Sequence, residues 1–256
     1  MELKGKIIVV TGAASGIGKA MALRFAQEGA SKVICTDINF QGAEKTASHI
    51  GGHAFAMNAT QEHEIAHIIK ETEKYIGPID LFCSNAGISF GGGVEVADKA
   101  WQKIWEINLM SHVWAARHLV PRMSKRGGGY LLNTASAAGL LNQLGSAPYG
   151  VTKHAAIGLA EWLAITYGDL GIKVSVLCPQ AVRTEMIKGL EEHVASIDGI
   201  IEPSEVAEAC VQGLQKESFL ILPHPVVSKY LRSKTDNYER WIGGMRKLNR
   251  RFGTFV

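Results

Sequence analysis

The sequence predicts an α/β fold in which helices cover both faces of one doubly wound parallel sheet. Short runs of apolar, mostly β-branched residues alternate along the chain with segments of helical periodicity, a pattern typical of βα units. These runs are apolar without interruption, as expected of strands that are buried on both faces. With 256 residues and 46% hydrophobic content, the chain can enclose a large core.

We expect a single domain over residues 1–256, because no linker-like stretch divides the chain. Glycine clusters at 51–52, 91–93 and 127–129 fall between periodic segments and predict turns. The α/β core is expected over residues 6–222, followed by a helical extension over residues 226–252.

The first predicted unit consists of a strand, a glycine turn and a helix. Lys6 to Thr11 is a β-branched run, glycines follow at positions 12, 16 and 18, and residues 19–27 have helical apolar spacing. Such glycines let the backbone turn tightly and approach a pyrophosphate, whose charge the helix N-terminus stabilises. The unit therefore predicts a dinucleotide site that includes Gly12, Gly16 and Gly18.

The second predicted strand, Lys32 to Asp37, ends in an acid about 20 residues beyond the glycines, where dinucleotide sites bind the ribose hydroxyls. Asp37 would repel a 2′-phosphate, and no arginine lies in the glycine turn or directly after Asp37 to neutralise one. We therefore predict NAD rather than NADP as the cofactor. The alternative is that Asp37 caps a helix or a turn.

The βα alternation continues to the end of the predicted core. The further strands are expected over His53 to Met57, Asp80 to Ser84, Tyr130 to Thr134, Lys173 to Cys178 and Phe219 to Leu222. Helices are expected over Gln61 to Tyr75, Trp101 to Arg126 and Glu205 to Gln215, and a further helix from Pro148 onward. Glu185 to Ile201 has no clear periodicity and predicts a mobile lid.

Tyr149 and Lys153 lie four residues apart at the start of the helix that begins near Pro148, so they share one helix face. A lysine cation and the helix dipole both favour the phenolate, and we expect them to lower the pKa of Tyr149. Ser136 follows a predicted strand and can bring a hydroxyl to the phenol. Together, the three residues predict an acid/base site; the alternative for Tyr149 and Lys153 is a surface pair.

Asn108 lies among apolar residues in the helix predicted over 101–126. A buried amide needs hydrogen-bond partners, so Asn108 belongs either to a structural kink or to a water relay. His63 to His67 matches the H-E-x-x-H zinc motif. No third ligand with a recognisable spacing follows, so we expect a solvated histidine face and no metal site.

Composition limits the classes of partner and location. The formal charge of +3 is too small to predict a nucleic-acid partner. Four cysteines lie far apart in apolar runs, without the spacing of a metal or redox site. The N-terminus has no signal-peptide core, and no apolar run is long enough to span a membrane. We expect a cytoplasmic protein with no integral membrane association.

With these residues assembled, the sequence resembles the short-chain dehydrogenase/reductase family, whose fold is Rossmann-like. The resemblance covers Lys6 to about Leu222 and includes the glycine turn at 11–18 and the Asn-Ala-Gly at 85–87. It also includes the tetrad Asn108, Ser136, Tyr149 and Lys153. The order and spacing of these motifs together are more specific for the family than any single motif is.

The resemblance implies hydride exchange between a nicotinamide and an alcohol or carbonyl carbon. Tyr149 would be the general acid/base and Ser136 would hold the substrate oxygen. Lys153 would bind the nicotinamide ribose, Asn108 would position a relay water, and Thr184 would contact the carboxamide. The implied cofactor contacts are Gly12, Ser15, Gly16, Ile17, Gly18, Asp37, Ile38, Asn58, Ala59, Asn85, Ala86, Gly87, Tyr149, Lys153, Pro179, Val182 and Thr184.

Two positions depart from the family pattern. Asn58 stands where many relatives have an acid that accepts from the adenine amino group, and its carbonyl can accept too. Gln180 stands where glycine usually follows the proline. Its amide either lies in the pocket, where it narrows the space or hydrogen-bonds to the substrate, or points away from the pocket. Both alternatives stay open.

The family pattern places a mostly apolar set of residues beside the substrate, which favours a hydrophobic or aromatic secondary alcohol or ketone. The alternative is that several of these leucines only pack the core. The expected substrate contacts are Ser136, Ala138, Leu140, Leu141, Leu144, Gln180, Met186, Ile187 and Leu190. The other candidate functions are an NADPH-dependent ketoreductase and a non-catalytic dinucleotide sensor. Relatives are commonly oligomers, so a homodimer or homotetramer is expected.

The tail forms a basic amphipathic helix. Its apolar stripe comprises Tyr238, Trp241, Ile242, Met245, Leu248 and Phe252. We expect this stripe to dock near the lid or onto a neighbouring subunit; the alternative is binding to a membrane or to a calmodulin-like partner.

Overall fold

A seven-stranded parallel sheet forms the centre of the molecule. The computed structural model describes residues 1–189 and 194–252. In chain order, the strands are β1 (Ile7–Thr11), β2 (Lys32–Asp37), β3 (His53–Ala56), β4 (Leu81–Ser84), β5 (Gly129–Thr134), β6 (Ile172–Leu177) and β7 (Leu220–Ile221). They lie in the order β3-β2-β1-β4-β5-β6-β7, with every neighbouring pair parallel. The predicted doubly wound sheet is confirmed.

Helices cover both faces of this sheet. They are α1 (Gly16–Gln27), α2 (Phe40–His49), α3 (Glu62–Tyr75), α4 (Asp98–Trp105), α5 (Ser111–Lys125), α6 (Ala138–Leu141), α7 (Ala147–Tyr167), α8 (Pro203–Gln215), α9 (Val226–Asp236) and α10 (Tyr238–Phe252). Short 3-10 turns occupy Gly168–Leu170, Glu185–Ile187 and Val194–Ser196. Sequence periodicity did not identify α2, α6 or the break between α9 and α10.

Alternate residues of each central strand face opposite helical layers. In β1, Val9 packs into the apolar cluster that contains Ile68 and Leu119, while Val10 packs into the cluster that contains Phe25 and Cys210. Both faces are buried, so every second position must be apolar on either side. This explains why the strands have uninterrupted apolar sequences.

The order of the strands reverses at β1. The chain moves outward from β1 to β2 and β3, and then returns to place β4 on the other side of β1. In such sheets, a crevice opens at the reversal, beyond the carboxyl ends of the strands. The segments that follow β1, β4, β5 and β6 carry the predicted site residues, so the topology brings them to this crevice.

The helix predicted over 101–126 is interrupted by a π-helical segment. Glu106–Met110 joins α4 to α5 with the wider hydrogen-bond pattern of a π-helix, and Asn108 lies within it. A π segment inserts an extra residue into a helix and is common at functional sites. The structural kink, which is one of the two alternatives for Asn108, is therefore observed as this π-helical segment.

None of the helices in residues 1–189 and 194–252 combines the length and apolarity needed to cross a bilayer.

The tight packing of the glycine turn after β1 leads to a prediction about the free energy of unfolding. A Cβ added to Gly18 would lie 2.1 Å from the carbonyl oxygen of Gly12, whereas one added to Gly158 in α7 meets nothing within 4 Å. Gly18→Ala should lower the free energy of unfolding by about 1–3 kcal/mol, because the backbone of the turn must shift. Gly158→Ala should raise it by about 0.5–1 kcal/mol through helix propensity. Urea unfolding of both variants tests this; equal stabilities would contradict the tight packing of the turn.

A buried histidine in α5 leads to a prediction about how stability depends on pH. His112 is only 1% exposed, and neither ring nitrogen has a hydrogen-bond partner among the described residues. Burial, aided by the positive charge of Lys153, lowers the pKa of His112 to about 3. In the unfolded chain, the pKa of this histidine is about 6.5. Below that pH, the unfolded chain therefore binds a proton that the folded protein excludes.

The contribution of neutral His112 to the free energy of unfolding is complete above about pH 6.5. It decreases by up to about 1.4 kcal/mol per pH unit as the pH falls toward the folded-state pKa of about 3. In His112→Phe, the free energy of unfolding should fall less steeply over this range, as measured by urea unfolding from pH 7 to pH 4. His67→Asn is the control, because this side chain is exposed on α3 and should not change the slope. Identical slopes for His112→Phe and the wild type would contradict the prediction.

Candidate active site

Three strand ends are joined by the Asn-Ala-Gly segment that follows β4. The Oγ1 atom of Thr11 accepts hydrogen bonds from the backbone N–H groups of Asn85 and Ala86 at 2.8 and 2.9 Å. The side chain of Asn85 donates from Nδ2 to the Thr11 carbonyl at 3.0 Å and accepts at Oδ1 from Thr134 Oγ1 at 3.1 Å. Asn85 therefore fixes the glycine turn after β1 relative to the end of β5.

Lys153 continues this network from α7. Its Nζ donates to the Thr134 carbonyl at 3.0 Å, and the residue is only 3% exposed. Burial disfavours the ammonium and lowers the pKa of Lys153 to about 8. Nζ lies 5.6 Å from the centroid of the Tyr149 ring, as the spacing of four residues along α7 predicts. The alternative of a surface pair is excluded.

The environment of Tyr149 differs from the expectation in one respect. Burial raises the pKa of Tyr149, and the nearby hydroxyl of Ser136 opposes that rise. The expectation of a lowered pKa is wrong for the protein alone, because desolvation of the phenolate is the largest effect on its pKa. The phenol is therefore the neutral acid at physiological pH.

Ser136 is held where the loops after β5 and β6 meet. Its Oγ donates to the Pro179 carbonyl at 3.3 Å and accepts from the Ala138 N–H at 3.1 Å. The N–H of Ala137 also donates to the Pro179 carbonyl, at 2.8 Å. These bonds orient the hydroxyl beside Tyr149.

Asn108 supports the site from behind. Its side chain is fully buried and bonds both backbone groups of Ile88, at 2.9 Å each. A third bond, at 3.3 Å, joins Nδ2 to Thr152 Oγ1 in α7. Because these contacts use the amide, Asn108 fixes the segment after β4 against α7. Its predicted role in a water relay stays a prediction.

The glycine turn and the end of β2 form the other end of the site. Gly12 and Gly16 have φ angles of 68° and 52°, which favour glycine. Asp37 accepts from the backbone N–H of Ala14 at 3.0 Å and from that of Asn39 at 2.9 Å. The alternative of a turn cap is thus observed, and the same carboxylate also lines the cavity described next.

A cavity of about 820 Å³ connects these parts. Every predicted cofactor residue lines it, as do Ser136 and the predicted substrate residues Ala138, Leu141, Leu144, Gln180, Met186 and Ile187. The side chain of Asn108 does not reach it. Leu190 lies outside the described residues.

Leu140 is a correction to the predicted substrate contacts. It does not line the cavity; instead it packs against the small apolar cluster that contains Ala137 and Val227. In the short helix α6, Leu141 faces the cavity while Leu140 faces α9. The core-packing alternative is therefore right for this leucine.

Asn58 and Gln180, the two departures from the family pattern, both form hydrogen bonds within the protein. The Oδ1 atom of Asn58 already accepts from the N–H and the hydroxyl of Thr60, at 3.1 and 2.9 Å. An adenine amino group would have to share this oxygen. The Nε2 atom of Gln180 donates to Asp198 Oδ2 at 3.0 Å.

The tail contributes cavity residues that the sequence could not assign. Trp241, Met245 and Leu248 of α10 line the cavity, together with Tyr230 of α9. Of the two expected docking places for the apolar stripe, these residues occupy the one near the predicted lid. Ile242 and Tyr238, on the same stripe, stay exposed.

The H-E-x-x-H segment has a structural role in α3. Glu64 accepts from the backbone N–H of Asn58 at 2.7 Å, while His63 and His67 face solvent. No group of three or more potential metal ligands occurs in the described parts of the chain.

Comparison with known proteins identifies the family. The family model described as "short chain dehydrogenase" matches residues 6–195. Human epidermal retinol dehydrogenase 2 is 31% identical over 233 residues, covering 87% of this chain and 75% of that protein. The cyclohexanol dehydrogenase of Acinetobacter sp. (strain SE19) is 32% identical over 218 residues, covering 81% of this chain and 86% of that protein.

Solved structures agree. A short-chain dehydrogenase/reductase from Burkholderia phymatum, in complex with NAD, has a TM-score of 0.85 at 25% identity, covering 93% of this chain and 96% of that one. A 7α-hydroxysteroid dehydrogenase with NADH and 7-oxo glycochenodeoxycholic acid has a TM-score of 0.78 at 28% identity, with coverages of 86% and 93%. With its sheet, glycine turn and Ser136–Tyr149–Lys153 geometry, the chain belongs to the short-chain dehydrogenase family of oxidoreductases.

Proposed function

We propose that the protein transfers a hydride between NAD and the carbinol carbon of a hydrophobic or aromatic secondary alcohol, or its ketone. The observation that carries this proposal is that Tyr149, Ser136 and Lys153 share one cavity with the glycine turn and Asp37. A proton-transfer site and a dinucleotide site are thus within reach of a single bound pair of molecules.

The residues of the cavity fit a dinucleotide. Gly12 and Gly16 adopt conformations in which the backbone can approach a pyrophosphate, and the N-terminus of α1 follows directly. Asp37 would accept from the adenosine ribose, and Lys153 would donate to the nicotinamide ribose. When bound, the nicotinamide supplies the hydride acceptor or donor, and the protein supplies proton transfer and orientation.

Charge around Asp37 supports NAD over NADP. Lys153 is the one cation among the described residues that line the cavity, and it lies at the Tyr149 end. A 2′-phosphate beside Asp37 would therefore face a carboxylate without a compensating positive charge.

The proton chemistry follows from Ser136, Tyr149 and Lys153. In ketone reduction, the neutral phenol of Tyr149 donates its proton to the substrate oxygen while the carbon accepts hydride. In alcohol oxidation, the phenolate accepts that proton and the carbon gives up hydride. Because burial raises the pKa of Tyr149, oxidation should be faster at alkaline pH. Ser136 would hold the substrate oxygen in both directions.

The substrate half of the cavity supports an apolar substrate. Its lining includes Ala138, Leu141, Leu144, Met186 and Ile187, with Trp241, Met245 and Leu248 from α10. An unpaired polar group among these side chains would cost about 1–3 kcal/mol. The names of two relatives refer to retinol and cyclohexanol, which are mainly apolar alcohols.

Two other functions make different demands on these residues. An NADPH-dependent ketoreductase needs a cation where Asp37 stands. A dinucleotide sensor has no need of the Ser136 hydroxyl and the Tyr149 phenol together in the cavity.

We also infer a cytoplasmic homodimer or homotetramer. Four free cysteines, with no disulfide among the described residues, support a reducing compartment. Exposed apolar side chains on α7, including Trp162 and Ile165, support association between subunits.

An alcohol screen tests the function. Reduction of NAD should occur with alkyl and aryl secondary alcohols at alkaline pH, and should be weaker with polyols or with NADP. Tyr149→Phe should lower turnover by at least about 100-fold, because general acid/base catalysis contributes about 10²–10⁴-fold. NADH binding, followed by fluorescence, should survive in this variant. Undiminished turnover of Tyr149→Phe, or faster oxidation of polyols, would contradict the proposal.

Cofactor preference gives a separate prediction. Asp37→Arg replaces the carboxylate with a cation that can pair with a 2′-phosphate, so the ratio of kcat/KM for NADP over NAD should rise by about 100-fold or more, equivalent to about 2.7 kcal/mol. Asp37→Asn is the matched control, which removes the repulsion without adding a cation and should change the ratio less. An unchanged ratio in Asp37→Arg would show that Asp37 acts only as the cap of the turn.

A further inference from the structure

Exposed apolar side chains border the substrate half of the cavity. Met186 and Ile197 line the cavity and are also about half exposed, so they lie at its opening. Tyr238 and Ile242 of α10 are 51% and 54% exposed, and they flank the face of that helix that lines the cavity. We call these four residues the rim patch. Apolar side chains that gather at one opening, rather than being scattered singly, mark an interaction surface.

One side of α10 combines part of this patch with positive charge. Tyr238, Ile242, Arg246 and Arg250 follow one another at steps of four residues, and all four are exposed. Side chains at such steps lie along one side of a helix. Two apolar residues of the rim patch are therefore followed, on the same exposed side, by two cations.

The cations of the tail, which comprises α9 and α10, lack acidic partners. Between Lys229 and Arg251 there are eight Lys and Arg residues and two acids, a charge of +6 that leaves −3 for the rest of the chain. Every arginine outside the tail pairs with a carboxylate. These arginines are Arg24, Arg117, Arg122, Arg126 and Arg183. No arginine of the tail forms such a pair within residues 1–189 and 194–252.

These features fit an anionic lipid surface better than a protein that encloses the helix. A calmodulin-like partner grips the apolar stripe of a basic helix in a groove. In this protein, Trp241, Met245 and Leu248 of that stripe face the cavity, so they are unavailable while α10 stays in place. A lipid surface needs only one exposed side, whose apolar side chains enter the interface while its cations contact the headgroups.

We propose that the rim patch and the cations of α10 dock the protein on an anionic lipid surface, with the opening of the apolar half of the cavity turned toward the lipid. The partner is a bilayer leaflet that carries negatively charged headgroups. This inference goes beyond the proposed function. Only its consequence, that an apolar substrate passes directly between the lipid and the cavity, rests on that function.

Vesicle flotation of the intact protein tests the docking. One set of vesicles is phosphatidylcholine alone, and the other contains about 30% phosphatidylserine. The wild type should bind the anionic vesicles about 100-fold more strongly, because each cation near such a surface contributes about fivefold to the partition coefficient. Added salt should weaken the binding, since it screens these charges.

Matched double variants locate the surface. Arg246→Gln/Arg250→Gln removes two cations from the exposed side of α10 and should lower the partition coefficient about 10–30-fold. The control is Lys99→Gln/Lys103→Gln on α4, whose exposed lysines have the same spacing and the same charge. It should lower the coefficient less than about 3-fold. Ile242→Ser removes one apolar anchor and should lower it about 3–10-fold.

The outcomes are distinct, and urea unfolding midpoints establish that each variant is folded. Equal binding of the wild type to both sets of vesicles, binding to neither, or equal losses in the two double variants would overturn the inference. A changed oligomeric mass of the α10 double variant by light scattering, with no vesicle binding by the wild type, would assign the rim patch to a subunit contact instead. Because flotation needs no turnover, a protein that binds anionic vesicles but oxidises no alcohol would remove the proposed function and leave the docking.

Discussion

The arrangement of the site depends on a buried ammonium group. Lys153 is almost completely enclosed, and the hydrogen bond from its Nζ to the Thr134 carbonyl joins α7 to the end of β5. Burying a charge is costly unless polar partners surround it, so α7 and β5 cannot shift independently. Through Asn85, the constraint extends from Thr134 to Thr11 and the glycine turn. One network thus positions the ends of the cavity relative to each other.

The two ends of the cavity use burial in different ways. At the Tyr149 end, desolvation raises the pKa of the phenol and keeps it protonated, and it lowers the pKa of Lys153 to about 8. At the Asp37 end, backbone N–H groups of Ala14 and Asn39 bind a half-exposed carboxylate. The same carboxylate shapes the turn and lines the cavity. Its structural role is therefore compatible with the proposed contact to a ribose.

Local patterns predicted the parts of the molecule that depend on neighbours in sequence. Strand ends agree within one residue, because short continuous β-branched runs bounded by turn residues are typical of buried strands. Leu140 was misassigned because a turn as short as α6 gives no periodicity from which to tell its two faces apart. The direction of the pKa of Tyr149 depends on how much protein surrounds the ring, which spacing to Lys153 cannot reveal. Nor could sequence reveal the contact of Gln180 with Asp198, since it joins two loops without regular structure.

The attachment of α10 has a consequence for access to the cavity. This helix has no fully buried residue and packs on α9, yet Trp241, Met245 and Leu248 cover the apolar part of the cavity. Elements with little buried apolar area open at a far smaller free-energy cost than a central sheet does. No residue of α10 takes part in the hydrogen bonds that join Lys153, Thr134, Asn85 and Thr11. A displacement of α10 would therefore uncover the apolar part of the cavity without breaking a bond of that network.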